Sequence, residues 1–421
     1  MNEVEAANVA SSRACVTLGA WVIRAAISAV SLVALDVQSV RAADNSLPVV
    51  IGVLNDQSGA FADLGGKGSV IAAQMAVDDF GGIVLGRPVK VISADHQNKP
   101  DIASSIASRW FDEEHVGMIT DMTFSSAAIA MQNVARQRQK ISIDVGAATT
   151  ELINKSCSPT SFMWGFNTYT EAVAETKAVI KQGGDTWALI VADLAFGYSL
   201  SADIKNVLAE NKATLLSEQR YPFGSSDFSS LLLVAQASGA KVLGLVTAGA
   251  DMVNAVRQAA EFSLAQKLKI AVPAAEIFEV DAIGLERAQG LFTTESWYWD
   301  LNEETRDFSN RYAAKFGRVP GQVQAGVYSG VAHYLKSVAA AGTDEGLTVA
   351  SKMRELPVND VFTKNGKLRI DGWLMHDIYL VQIKAPEQSK SKWDVYNILA
   401  TIPAEEAASP LSKSECPLVT R

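Results

Sequence analysis

The sequence predicts an α/β protein built from two doubly wound, Rossmann-like lobes joined by a hinge. Short β-rich runs alternate with helical patterns of roughly 10–15 residues, which is typical of parallel sheets covered by helices. The alternation stops near Phe162 and then begins again, which indicates two successive units and not one long sheet. A chain of 421 residues, 48% apolar and 20% charged, is long enough for two ordinary domains.

The first unit begins with a β-rich run at 49–54 and a helical pattern that ends at Gly81-Gly82. Further strands are predicted at 89–95, 116–119 and 141–145, with helices at 101–114 and 126–139. The second unit has predicted strands at 187–191, 241–246 and 268–272. Its predicted helices span 171–182, 196–210, 226–238 and 251–264. The less regular remainder contains helices at 303–316 and 321–341 and strands at 378–383 and 393–402.

This order of elements predicts lobes that are each made of two segments. The N-terminal lobe comprises 44–164 and 290–375, the C-terminal lobe comprises 165–289 and 376–402, and 403–421 form a tail. Two lobes with a cleft between them and several crossings are suited to hinge closure around a ligand.

The first 43 residues have the pattern of a secretory signal peptide. Arg13 and Arg24 precede an apolar run at 25–35, and small residues follow it, with cleavage expected after Ala42 or Ala43. A membrane anchor is the alternative, but the run is about half of the ~20 residues that span a bilayer. The acidic residues near the start are atypical of a leader, so translation could begin downstream.

An exported chain with two cysteines outside the leader is expected to form one disulfide. These cysteines are Cys157 and Cys416, because Cys15 is lost with the leader. Two free thiols are the alternative. The formal net charge of −9 argues against nucleic-acid binding, although it does not exclude a small anionic ligand at a local site.

No catalytic, metal or cofactor site is predicted. The four histidines lie far apart, and none has a partner at metal-ligand spacing. The glycine-rich segment 65–69 lacks the spacing of a phosphate loop, and no nucleophile elbow is present.

Two loops are candidates for ligand binding because each opens a helix or turn at the carboxyl end of a predicted strand. They are 123–127, with Ser125 and Ser126, and 146–151, with Ala147, Ala148 and Thr149. Open α/β sheets bind ligands at this edge, and free N–H groups with hydroxyls attract a carboxylate there. Plain helix capping by Ser and Thr is the alternative explanation.

These segments resemble the leucine/isoleucine/valine-binding proteins of ABC transporters. The resemblance runs from about Pro48 to Pro357 and more loosely to Ile402. It rests on Ser58-Gly59, Ser125-Ser126, the 146–149 loop, the 193–197 segment and the Asp-Phe-Ser element at 227–229. It implies a type I periplasmic binding protein fold, a non-enzymatic role, monomeric behaviour, a periplasmic location and delivery of a ligand to an ATP-driven permease.

Positions at which the sequence differs from the ligand-binding residues of that family predict the chemical class of the ligand. Amino-acid binders of the family hold the ammonium with acidic side chains and pack the ligand against tyrosines. Here an acidic position falls on Asn167, and tyrosine positions fall on Leu64 and Phe196, although Glu276 could supply a second acidic group. An ammonium without a carboxylate partner is costly to bury. The departures therefore favour an aromatic or medium-chain organic acid over an α-amino acid.

Several aromatic residues are predicted either to stack on the ligand or to lie in the core: Phe124, Trp164, Tyr169 and Phe196. A branched-chain amino-acid binder, and a sensor or chemoreceptor of the same fold, are the alternative functions.

Overall fold

The computed structural model describes residues 47–419, so the predicted signal peptide at 1–43 lies outside the described residues. The strands are β1 Val49–Asn55, β2 Ile83–Val84, β3 Arg87–Asp95, β4 Val116–Asp121, β5 Ile141–Asp144, β6 Ser161–Met163, β7 Thr186–Ala192, β8 Thr214–Tyr221, β9 Val242–Val246, β10 Lys269–Ala271, β11 Phe292–Glu295, β12 Lys367–Leu368, β13 Leu374–Met375, β14 Ile378–Ile383 and β15 Tyr396–Ile402. The helices are α1 Gly66–Phe80, α2 Pro100–Asp112, α3 Ser125–Gln137, α4 Thr168–Lys181, α5 Ala195–Glu210, α6 Ser229–Ala237, α7 Gly249–Glu261, α8 Ile277–Ile283, α9 Leu285–Ala288, α10 Glu303–Phe316, α11 Gln322–Ala341, α12 Gly346–Glu355 and α13 Ala404–Ala407.

The N-terminal lobe is built on a sheet with the strand order β2-β3-β1-β4-β5-β6. Its strands are parallel except for the β2–β3 hairpin. Every residue of β1 and β4 is buried, as expected for strands that helices cover on both faces. Asp121, the last residue of β4, is in register with Leu54 on one side and Asp144 on the other. The loops after β1, β4 and β5 therefore leave the sheet at the same edge.

Helices from the C-terminal half of the chain complete this lobe. Helix α11 packs against α1 and β4, and α12 packs against α11. Trp164, Trp297, Tyr312 and Tyr334 are fully buried in the same core. The core of this lobe therefore contains residues from two distant segments of the chain.

The C-terminal lobe is built on a sheet with the order β15-β14-β11-β10-β9-β7-β8. Strands β7 to β11 are parallel to one another. Strand β14 is antiparallel to β11, and β15 is antiparallel to β14. Assigning 290–295 to the N-terminal lobe was wrong, because β11 pairs with β10 and β14 of this sheet. We propose that the lobe boundary lies near Ser296. The sequence patterns also missed β8, a half-exposed edge strand with a mostly polar second half.

The chain crosses between the lobes after β6, after β11 and between β13 and β14, and after β15 the tail returns to the N-terminal lobe. Indole N–H groups fix the chain at these crossings. Trp373 Nε1 donates to the carbonyl oxygen of Gly165 (2.9 Å), and Trp297 Nε1 donates to that of Val361 (3.0 Å). These contacts hold the hinge segments in register with the N-terminal lobe.

The predicted disulfide between Cys157 and Cys416 is present, with the two Cα atoms 5.6 Å apart. It attaches the C-terminal tail to the N-terminal lobe, where Ala407 is also part of the core. Within residues 47–419, no helix has the length and apolar character needed to cross a membrane.

Candidate ligand-binding site

A cavity lies between the lobes at the edge where the strand-end loops meet. It has about 450 Å³ of atom-free space, part of it open to solvent. The N-terminal lobe contributes Phe61, Leu64, Thr123, Phe124, Ser125, Gly146 and Ala148. The hinge and the C-terminal lobe contribute Phe166, Glu171, Leu194, Phe196, Ala248, Ala274, Glu276 and Glu279.

The N-terminal side of the cavity presents the start of helix α3. Phe124 occupies the N-cap position in an extended conformation, and no side chain caps the helix. No acidic residue lies in the first turn of α3, so its free N–H groups give this wall a partial positive charge. Thr123 Oγ1 accepts a hydrogen bond from the N–H of Asp56 (3.1 Å), which joins this loop to the loop after β1. This wall can therefore bind an anionic group.

The C-terminal side presents carboxylates. Glu276 Oε1 accepts a hydrogen bond from Gln322 Nε2 (2.5 Å), while Glu276 Oε2 is buried without a partner. Burial, reinforced by the neighbouring Glu279, raises the pKa of Glu276 to about 8. Glu171 Oε2 is also buried and unpartnered, and burial raises the pKa of Glu171 well above its usual value.

Glu279 has a structural role as well as a position in the cavity wall. Its carboxylate accepts hydrogen bonds from the N–H of Glu276 (2.8 Å) and from the N–H of Gly249. These bonds tie the starts of α7 and α8 together. Burial raises the pKa of Glu279 to about 7.

Two further carboxylates, Glu175 and Glu295, lie behind this wall and are also fully buried. Among residues 47–419, no Lys or Arg forms an ion pair with any of the five glutamates. Because an ionised carboxylate is expensive to bury alone, the cluster has a net affinity for protons or for another cation.

Three phenylalanines form a contact across the mouth of the cavity. Phe61 of the N-terminal lobe stacks on Phe223 of the C-terminal lobe, with ring centroids 5.5 Å apart and planes 7° apart. Phe124 lies 6.1 Å from Phe61 and 6.4 Å from Phe223. Since the contact involves both lobes, it stabilises the closed arrangement.

The structure brings only some of the residues predicted from sequence to the cavity. Those that line it are Leu64, Phe124, Ser125, Ala148, Phe196 and Glu276. Those that do not line it are Ser126, Ala147, Thr149, Asn167, Tyr169 and Trp164. Trp164 lies in the N-terminal core, where Nε1 donates to Ser329 Oγ (3.0 Å). Thr149 Oγ1 accepts the N–H of Glu151, so this hydroxyl caps a turn.

Asn167 and Tyr169 are the most informative of these exceptions. Asn167 Oδ1 accepts the N–H groups of Tyr169 and Thr170 and so caps α4. Tyr169 lines a separate recess beside Lys413 of the tail. Glu171, which sequence reasoning missed, lies one helical turn beyond Asn167, and that spacing is the signal that could have found it.

Gly249 lies where the two lobes approach each other closely. Its φ is +65°, and a Cβ atom there would lie 2.9 Å from the carbonyl oxygen of Ala60 in the opposite lobe. We expect Gly249→Ala to prevent full closure. Gly239→Ala is the matched control, because Gly239 has φ +74° and nothing within 4 Å of the added atom.

Both variants should lose about 1–2 kcal/mol of stability, since each places alanine in the left-handed region. In small-angle X-ray scattering, only the Gly249→Ala variant should have a larger radius of gyration than wild type. Equal radii for the two variants would show that closure does not need the contact between Ala60 and Gly249.

Comparisons with known proteins agree with this architecture. A family model described as periplasmic binding protein matches residues 48–391. A periplasmic binding protein from Burkholderia mallei is 41% identical, with a TM-score of 0.87, and the match covers 89% of this chain and 99% of that one. A branched-chain amino acid ABC transporter periplasmic ligand-binding protein from Burkholderia xenovorans is 37% identical, with a TM-score of 0.81, over 88% of this chain and 100% of that one.

Among curated proteins, an amino acid binding protein from Pseudomonas aeruginosa is 26% identical over 223 residues. That match covers 50% of this chain and 57% of the relative's length. The resemblance inferred from the sequence motifs is thus confirmed. The chain belongs to the periplasmic binding protein family, and its two lobes have the type I fold of the binding proteins of ABC transporters.

Proposed function

We propose that this protein is the substrate-binding receptor of an ABC import system and that its ligand is a small zwitterion, an α-amino acid with an apolar side chain. The carrying observation is the charge asymmetry of the cavity. The N-terminal lobe presents the uncapped start of α3 with Ser125, and the C-terminal lobe presents Glu171 and Glu276. A carboxylate fits the first wall and an ammonium fits the second.

The same asymmetry explains how the ligand would close the lobes. A zwitterion bound to one lobe satisfies only one of its charges, and both are paired only after closure. The ligand therefore has a higher affinity for the closed state and shifts the equilibrium toward it. The apolar side chain would pack against Phe61, Phe124 and Phe196, which line the cavity between the charged walls.

This proposal replaces the organic acid favoured by the sequence. That preference depended on Asn167 as the missing acidic partner and on Leu64 and Phe196 at tyrosine positions. Leu64 and Phe196 do line the cavity, but Asn167 caps α4 and does not. Once they are ionised, the carboxylates that do line it would repel an anionic ligand. An organic acid could bind only if these glutamates stayed protonated.

The remaining features of the proposal are location and partners. We propose that the leader is removed on export, that the mature receptor works as a monomer in the periplasm, and that it delivers its ligand to the permease subunits of the transporter. The match to periplasmic binding proteins along residues 48–391 supports this assignment.

Three probes of one shape test the proposal. L-Leucine carries both charges, 4-methylpentanoate carries only the carboxylate and isoamylamine carries only the ammonium. In a thermal-shift assay at 100 times the dissociation constant, a ligand stabilises by about 2.7 kcal/mol. We expect L-leucine, or another apolar amino acid screened alongside it, to shift the melting temperature far more than either single-charge probe. A melting-temperature shift with 4-methylpentanoate but with no amino acid would refute the proposal of a zwitterionic ligand.

The pH dependence of affinity provides an independent test. In the closed structure, burial and the neighbouring Glu279 raise the pKa of Glu276 to about 8, and the other members of the cluster, Glu171, Glu175 and Glu295, are also carboxylates. An ammonium requires ionised Glu276, so amino-acid binding must release a proton below that pKa. We expect the Kd of the amino acid to fall as pH rises from 6 to about 8 and then to level off.

Isothermal titration in buffers of different ionisation enthalpy should show release of at least one proton per ligand near pH 7, the proton of Glu276. For 4-methylpentanoate the sign is opposite, because an anion beside Glu276 favours the protonated carboxyl. Affinity that decreases with rising pH would therefore indicate an organic acid.

A further inference from the structure

Glu171 is one of four buried glutamates with an unpartnered carboxylate oxygen, together with Glu175, Glu276 and Glu295, and of these only Glu171 and Glu276 line the cavity. It lies in the first turn of α4, it is 2% exposed and it lines the cavity. Its Oε2 atom has no hydrogen-bond partner. Within the cavity wall it shares this property with Glu276, whose Oε2 atom is also unpartnered.

The neighbouring glutamates have structural partners. Glu279 binds two backbone N–H groups, as described above, and Glu175 Oε1 accepts the N–H of Val272 (2.8 Å). A buried carboxylate oxygen without a partner costs free energy in the ligand-free protein. The unpartnered oxygens of Glu171 and Glu276 are therefore the two in this wall whose hydrogen bonds a ligand can complete.

The two side chains come from different helices, α4 and α8, and face one cavity. Both carboxylates line this cavity, and Glu276 is the charged neighbour that contributes most to the raised pKa of Glu171. A single cationic nitrogen between them would pair with both.

We propose that Glu171 is a specificity-determining residue, and that its carboxylate and that of Glu276 bind the same ligand nitrogen and select a primary ammonium. This inference rests on the proposed function. A primary ammonium has three N–H donors, enough for both carboxylates and one further acceptor. Each N-methyl group removes a donor and adds bulk in a site built for hydrogen bonding, so N-methylated amino acids should be rejected.

The experiment compares L-leucine and L-phenylalanine with their N-methyl derivatives by isothermal titration on the full-length mature receptor. The variant is Glu171→Gln, and the matched control is Glu175→Gln. Both substitutions remove one carboxylate of the same cluster from the same helix, but Glu175 does not line the cavity. Melting temperatures establish that each variant is folded, and Glu171→Asp keeps the charge if the glutamine variant does not fold.

We expect Glu171→Gln to weaken amino-acid binding by about tenfold or more, the usual effect of losing a hydrogen bond to a charged group. It should also reduce the preference for the primary amine over its N-methyl derivative, whereas Glu175→Gln should keep the wild-type preference. The Glu171→Asp variant should likewise lose preference because its carboxylate is withdrawn by one methylene.

The outcomes separate the two proposals. If wild-type receptor binds no apolar amino acid, the proposed function fails and this inference fails with it. If it binds them and Glu171→Gln keeps the wild-type preference for the primary amine, the proposal of a zwitterionic ligand stands and the proposed role of Glu171 is refuted.

Discussion

Replacing both Cys157 and Cys416 with alanine should lower the free energy of unfolding by about 2–5 kcal/mol, the usual cost of losing a native disulfide. The bridge joins residues separated by 259 positions, so it restricts a large part of the unfolded chain. Both cysteines are buried, so alanine avoids placing an unpaired hydroxyl at either site. The measurement is urea denaturation of the double variant and of wild type, with reduced wild type as the control.

The bridge also has a local consequence. Residues near Cys416 contact both lobes, since Lys413 pairs with Glu210 of α5 (2.6 Å) and Lys155 pairs with Glu415 (3.5 Å). Both pairs are largely exposed and contribute little by themselves. Without the disulfide, backbone amides near the end of the tail should exchange with solvent faster. Unchanged stability with unchanged exchange would mean that packing around Ala407 alone orders the tail.

Replacing Glu276 with glutamine should weaken amino-acid binding by roughly 2–5 kcal/mol, a factor of about 30 to 5000 in Kd. The substitution removes the charge that faces the ammonium but keeps the size of the side chain. Glu295→Gln is the matched control, because Glu295 belongs to the same buried cluster and does not line the cavity. Titration with L-leucine and L-phenylalanine measures both variants.

The free Glu276→Gln protein should be at least as stable as wild type. Burial raises the pKa of Glu276 to about 8 in the folded protein, above the ordinary value of a glutamate, so its ionisation is disfavoured in the native state. Wild type therefore loses stability as pH rises from the ordinary pKa of a glutamate, about 4.5, to about 8, and the Glu276→Gln variant does not. If the variant kept wild-type affinity, the ammonium would not bind at Glu276. A variant that binds weakly and melts at lower temperature at pH 8 would indicate a structural defect instead.

The sequence determined the architecture because the patterns that define it are local. Alternating apolar runs and helical periods predicted most of the strands and helices of both lobes, including β4 and α3 at the edge of the site, but not the strands β2, β6, β8 and β11. Cysteine count and export predicted the disulfide. Spaced motifs predicted the family and the strand-end loops, of which Ser125, Ala148 and Glu276 do line the cavity.

Only the tertiary structure decided which side chains face the ligand. Asn167 and Glu171 are both in or beside the first turn of α4, yet the first caps the helix and the second lines the cavity. Glu171 and Glu276 lie more than 100 positions apart in the chain, and helix packing brings their unpartnered oxygens to one wall. Whether a carboxylate lacks a cationic partner depends on every neighbour in space. Sequence spacing contains no such information, and for that reason the ligand class predicted from the sequence differs from the one proposed from the structure.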